Sequence, residues 1–328
     1  MKRSLSILTL VASAATVGCA SLQVRNKTSA ELIALLEAPD TSRRARTAAS
    51  DQLKRRPPAD VLPGVFTVHR HFAHHRTLWG SGHHLAAGEA VTWQEAAAIT
   101  ASDAWSGSLE DPTHDKQQKG AVLLGILSQW QSEICKPPDL PPRPAAIIGT
   151  DYDLAGLSDL MYGLQTNWVD GTEHAITAVL TNDRFSSGCR LSAAHTLVSV
   201  TGTKHFGEIL DAAANSPLGD QHWYARLLLG TKPAPEWEAR VLRFAVTTIK
   251  AERAAHPDYA YAGYFVARAM EHHTGRTLTP EVVAGQCCPE ELFRGTVDNA
   301  LAWWEANEDR FPTASRWPRP AALTREEW

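Results

Sequence analysis

The chain has 328 residues, 44% of them hydrophobic and 21% charged, a globular composition that excludes a disordered or fibrous protein and allows one large or two ordinary domains. Its formal charge of −4 offers no basic surplus for a polyanion, so nucleic acid is not an expected partner. Beyond residue 19 no apolar run reaches the length needed to span a bilayer.

Chain order begins with MKRSLSILTLVASAATVGC, in which Lys2 and Arg3 precede an apolar stretch from Leu5 through Val11 and the alanines behind it, ending at Val17-Gly18-Cys19. A basic start, a short apolar run and small residues before a cysteine describe an export signal over 1–18. The segment resembles a bacterial lipoprotein signal, although Thr16 stands where that pattern usually has leucine. The alternatives are an ordinary secretory peptide cleaved nearby and an uncleaved anchor helix. The resemblance implies lipidation of Cys19 as the first mature residue, and several acyl chains anchor stably where one is marginal. Aspartate at the next position commonly retains such proteins at the inner membrane; here it is Ala20, which favours the outer membrane, facing the periplasm. The lipid anchor is then the only expected membrane contact. Loss of Lys2 and Arg3 leaves a mature charge of about −6. Cys135, Cys189, Cys287 and Cys288 remain, an even number suited to an oxidising compartment. Adjacent cysteines rarely pair, so either a bridge runs from Cys287 or Cys288 to Cys189 or Cys135, or some of the four are small buried hydrophobes in a helical core.

The mature chain reads as helix after helix, with little strand-like alternation. Thr28-Ser29-Ala30-Glu31 is a capping box that opens a short helix with Leu32, Leu35 and Leu36 on one face. Pro39-Asp40 ends it, and Ser42 starts a second helix running to Arg55-Arg56-Pro57-Pro58, the two forming an αα-hairpin. A second capping box, Thr92 to Glu95, begins a helix to about Trp105, and 115–130 forms another with Val122, Leu123, Ile126 and Leu127 as its apolar side. The stretch KPPDLPPRP within 136–150 cannot continue a helix and marks a linker between an N-terminal block, 19–135, and a second block, 151–310. In the second block helices are expected at 153–163, 171–181, 188–200, 205–213, 220–229, 235–254, 258–273, 279–286 and 289–307. A tail rich in tryptophan and proline, 311–328, follows and is expected to pack over the last helices.

Weak repetition links the blocks. Arg46-x-x-Ala49-x-x-x-Leu53 recurs as Arg190-x-x-Ala193-x-x-x-Leu197, where alanines permit close helix approach, the leucine fills the core and the arginine can reach a carboxylate (Asp40, Asp183) in the preceding turn. Leu197 then faces the core and Thr196 the solvent. Ala193 to Gly202 is echoed by Val266 to Gly275, each glycine ending its helix, at an offset near twice a repeat of about 37 residues. On these segments, 29–53 and 174–202, the chain resembles the HEAT-repeat superfamily, and 299–317 looks like the tryptophan pair closing some bacterial HEAT-like proteins. The resemblance implies an all-α fold, an α-solenoid of antiparallel helix pairs that binds a protein partner and mostly lacks catalytic residues. The segment 65–91 does not fit the repeat, so the array is interrupted there or two short arrays meet.

Chemistry-bearing constellations are sparse. His69, His71, His74, His75, His83 and His84 fall within sixteen residues and could hold a transition metal, with His71 and His75 one helical turn apart. No carboxylate accompanies them locally, and the gap that holds the glutamate base in HExxH holds Ala73 and His74. Ser106 and Ser108 flank a glycine, and Ser186 and Ser187 precede Gly188-Cys189, but no GxSxG elbow follows a strand, and serine beside glycine at a helix start is ordinarily a cap. Arg190 and a helix start would lower the Cys189 thiol pKa, though burial or a disulfide is the simpler role. Asp151-Tyr152-Asp153 lacks the later ligands of a calcium loop. Among eleven tryptophans, Trp303 and Trp304 cannot both face one core, and Trp168, Trp223 and Trp237 at helix starts read equally as core filling or as exposed anchors. No residue is therefore assigned to catalysis, to a cofactor or to a metal, and the one modified residue is Cys19. The reading is a non-catalytic envelope scaffold that binds protein; the alternative is a metal-binding or metal-dependent periplasmic enzyme centred on His69–His84.

Overall fold

The computed structural model describes residues 24–72, 92–134, 152–231, 233, 235–257, 261–280 and 289–311. Among these the protein is all-α, with thirteen α-helices and no strand. They fall into two compact units, the first ending at Ala175 and the second beginning at Ile176. The leader with Cys19, the proline-rich stretch and the tail from residue 312 lie outside the described residues.

The first unit contains α1 (Ser29–Glu37), α2 (Arg43–Leu53), α3 (Pro58–Phe72), α4 (Trp93–Glu110), α5 (Lys116–Ile134) and α6 (Tyr152–Thr166). Both expected capping boxes form: Thr28 Oγ1 accepts from the Glu31 amide at 3.2 Å while Glu31 accepts from the Thr28 amide at 2.7 Å, and Thr92 and Glu95 repeat the arrangement. Ser42 caps α2 by accepting from the Ala45 amide. The unit is organised around α3, which packs on α1, α4, α5 and α6. The helix expected to end by Pro57-Pro58 does end there, at Leu53, but a helix not expected from sequence opens at Pro58. Pro58 occupies its first position, where a missing N–H costs nothing, and Val61, Leu62, Val65, Phe66 and Phe72 build a buried helical face behind it. Alanines 96, 97, 101 and 104 of α4 bring it close to that face, and the Phe66 and Trp105 rings meet at 5.5 Å. The proline-rich linker was expected to part the chain, yet α6, which follows it, packs on α3 and α5 of the first unit.

Two cations fasten this unit. Arg46, 2% exposed, donates from Nε to the Leu36 carbonyl at 3.2 Å and from its terminal nitrogen to the carbonyls of Ala38 and Pro39. Its acceptors are the orphan carbonyls at the C-terminus of α1 and not the Asp40 carboxylate expected from sequence, because a helix end presents several unpaired oxygens to a guanidinium already buried beside it. Lys119 does the same for α4, donating to the Leu109 and Asp111 carbonyls at 2.7 Å each, while burial holds its pKa below the ordinary lysine value.

From α7 (Thr172–Thr181) the chain continues through α8 (Ser187–Thr201), α9 (Phe206–Ala214), α10 (Leu218–Gly230), α11 (Pro235–Ala255), α12 (Tyr261–Thr274) and α13 (Pro289–Asn307), with a single 3₁₀ turn at Glu308–Arg310. In the second unit α8, α10 and α12 pack side by side, as do α9, α11 and α13, and consecutive helices α10 to α13 pack across the two rows. The repeat positions Ala193, Leu197, Val266 and Met270 are fully buried, as are Ala49 and Leu53 in the first unit. Gly202 and Gly275 end α8 and α12 at φ +64 and +66, values that a side chain would oppose. Thr196, expected toward solvent, is 3% exposed and satisfies its hydroxyl on the Ser192 carbonyl at 3.0 Å, on a helix packed by α9 and α10. Arg190 departs from Arg46: it reaches Ser216, beyond the following helix α9. Of the expected helix at 279–286, Thr279 and Pro280 are non-helical and the rest lies outside the described residues. Trp304 is buried, and Phe311 covers the tryptophan pair at 6.0 Å from Trp303 and 5.7 Å from Trp304.

Candidate functional site

The histidines come first, because they were the sequence's strongest chemical signal. His69 is fully buried in α3, and its Nε2 meets Asp159 Oδ2 of α6 at 2.6 Å. The tertiary fold thus supplies a carboxylate that the local sequence lacks. His71, two residues on, points to the opposite side of the helix, exposed, with its ring stacked on Phe72 at 4.6 Å. The pair therefore does not converge on one point. His74, His75, His83 and His84 lie outside the described residues, and among the described residues no three metal-ligating side chains come together.

The serines are structural. Ser186 caps α8, accepting from the Cys189 amide at 3.3 Å, whereas Ser106 and Ser108 lie inside α4 and not at a helix start, with Ser108 buried. Cys189 is 2% exposed in the first turn of α8; Cys135, Cys287 and Cys288 lie outside the described residues.

A cleft of about 760 Å³ runs across the α8, α10 and α12 row of the second unit, lined among others by His195, Trp223, Arg226, Phe265, Arg268 and Arg276. Its position follows from helix spacing. Trp223 and Arg226 are one turn apart on α10, and Phe265, Arg268 and His272 share a face of α12, so the two faces meet across the packed pair. The Arg226 guanidinium lies 4.6 Å from the Trp223 ring centre and 5.0 Å from that of Phe265, a double cation–π contact that holds its plane. Trp223 is 44% exposed. Arg268 donates to Glu271 Oε1 at 2.8 Å and to Thr279 Oγ1 at 2.7 Å. Burial pushes the Glu271 carboxyl up, but the Thr279 hydroxyl and amide and the Arg268 charge outweigh it and leave the pKa below the ordinary value. Glu271 is thereby committed to its own helix end. At the far end His195 shows an exposed edge, yet crowding of its ring and then the Arg226 charge hold it below the ordinary histidine pKa.

With histidines neutral, the cleft presents three arginines against one carboxylate on a chain whose net charge is −4. Such a surface can take an anionic group between donors while an apolar neighbour rests on the tryptophan. Sequence reasoning noticed Trp223 only as ambiguous and missed Arg226, although the aromatic-x-x-Arg spacing on both α10 and α12 was there to be read. No family model, curated protein or solved structure matches the chain.

Proposed function

We propose that the protein is a lipid-anchored, HEAT-like scaffold of the bacterial envelope that works by binding another protein. The observation carrying the reading is the arginine and aromatic cleft on the α8, α10 and α12 row, since exposed tryptophan and oriented arginine are the residue types that dominate protein interfaces. Two further features support it. In the second unit each helix from α8 to α11 packs on its next and next-but-one neighbours, the contact pattern of stacked helix pairs. The leader ending at Cys19 reads as an export and lipidation signal.

The test places a photoreactive benzoylphenylalanine at Trp223 in the tethered protein, with Tyr162, 63% exposed in the first unit, as the comparison position. A discrete adduct at 223 that is absent at 162 and is lost when Arg226→Gln is added supports the reading. Indistinguishable adduct patterns at the two positions refute it.

A further inference from the structure

We infer that the cleft on the α8, α10 and α12 row is a recognition site for an acidic peptide segment of the partner, one that sets a carboxylate on Arg226 and an apolar side chain on Trp223. The inference rests on the scaffold reading above and names the chemistry of its ligand.

Four observations carry it. First, Arg226 is oriented before any ligand arrives. Its planar fork is held between two aromatic rings, so little side-chain entropy is lost when it donates to a carboxylate. Second, among the described residues Arg226 makes no ion pair, and the one carboxylate lining the cleft, Glu271, already accepts from Arg268 and from the Thr279 amide and hydroxyl. Among the described residues of the cleft no carboxylate answers Arg226. Third, Arg276 is exposed just after the Gly275 helix end, so the positive field extends along the cleft. That suits a segment with more than one acidic residue. Fourth, Trp223, 44% exposed, lines the cleft beside that field, and the cavity of about 760 Å³ falls within the ~300–1,000 Å³ that encloses ligands of a few tens of atoms. An inorganic anion would use the arginines and leave the tryptophan idle; an acidic segment with an apolar residue uses both.

The experiment uses the full chain in detergent and a fluorescein-labelled Glu-Leu-Glu-Leu-Glu peptide, with anisotropy as the readout. Binding is expected to weaken about tenfold or more for Arg226→Gln and for Trp223→Ala. Arg226→Lys, which keeps the charge but loses the planar fork, is expected to fall between wild type and Arg226→Gln. His71→Ala, in the first unit, is expected to bind as wild type, and circular dichroism checks that each variant is folded. Equal binding of the Gln-Leu-Gln-Leu-Gln counterpart, or wild-type affinity in folded Arg226→Gln, overturns the inference. So does competition by millimolar inorganic phosphate or by anionic lipid vesicles at least as effective as unlabelled peptide, which would reassign the cleft to phosphate or to a membrane. If the acidic peptide fails while the Trp223 crosslink persists and still depends on Arg226, the ligand class is wrong and the scaffold reading survives; if both fail, both are wrong.

Discussion

Replacing Arg46 with alanine removes a buried guanidinium from the C-terminus of α1. In the native chain it donates to the carbonyls of Leu36, Ala38 and Pro39, and the Ala38 oxygen alone has a second donor, the Thr41 amide. Hydrogen bonds to a charged group contribute about 1.5–3 kcal/mol each, and a cation at a helix C-terminus adds about 0.3–1 kcal/mol. Burial opposes these gains, as the lowered Arg46 pKa records. One buried bond at 3.2 Å, one shared acceptor and one long contact at 3.4 Å then leave a net loss of about 3 kcal/mol on truncation, mostly from the buried Leu36 carbonyl left unpaired. With a urea slope of about 1–3 kcal/mol per molar, the midpoint of the first unit's transition is expected to fall by about 1–3 M. Arg44, exposed on the same helix, provides the control, and Arg44→Ala is expected to stay within about 0.5 kcal/mol. The assay is urea unfolding followed by tryptophan fluorescence and circular dichroism on all three proteins. Equal midpoints for Arg46→Ala and Arg44→Ala would show that water replaces the guanidinium at no cost, and the capping role would be wrong.

Leu197→Ala is expected to cost about 2–5 kcal/mol in denaturant titration, while Val200→Ala, 40% exposed on the same helix, stays within about 0.5 kcal/mol; similar values would undo the register of α8. Burial raises Asp211 to about 6, with Arg240 pulling it down and Glu208 pushing it up, so the folded state binds its proton more tightly than the unfolded chain. Stability from this group is present below about pH 4 and lost as pH rises toward 6, and Asp211→Asn is expected to gain about 1 kcal/mol at pH 7 after discounting for partial exposure, with no gain at pH 4. Cys19→Ala is expected to release the body from membranes; a variant that still pellets after a high-salt wash refutes lipidation, because salt strips electrostatic attachment and spares acyl anchoring. Untagged protein is expected to carry far less than one transition metal per chain by elemental analysis, and alanine at His71, His75 and His84 to leave the melting temperature nearly unchanged; stoichiometric metal lost in the triple variant would favour the metal-protein reading.

The amino-acid sequence by itself determined what depends on neighbours along the chain. Capping boxes at Thr28 and Thr92, the Ser42 and Ser186 caps and the glycine ends at 202 and 275 are local hydrogen-bonding and backbone requirements, and all were readable within four residues. Helical periodicity likewise placed Ala49, Leu53, Ala193 and Leu197 in the core. Where a local signal was ambiguous, only the tertiary structure decided. Pro57-Pro58 marks the end of α2 in the sequence, but that a further helix opens on Pro58 is seen only in the packing of α3 against four other helices. Thr196 is polar and reads as an outward position, yet it is buried on a helix packed by α9 and α10, with its hydroxyl taken by the i−4 carbonyl. Asp159 meets His69 across 90 residues, and Arg226 acquires its two aromatic walls from α10 and α12 together. Such contacts leave no mark in a short window, because what brings them together is the burial of the opposite faces of the same helices.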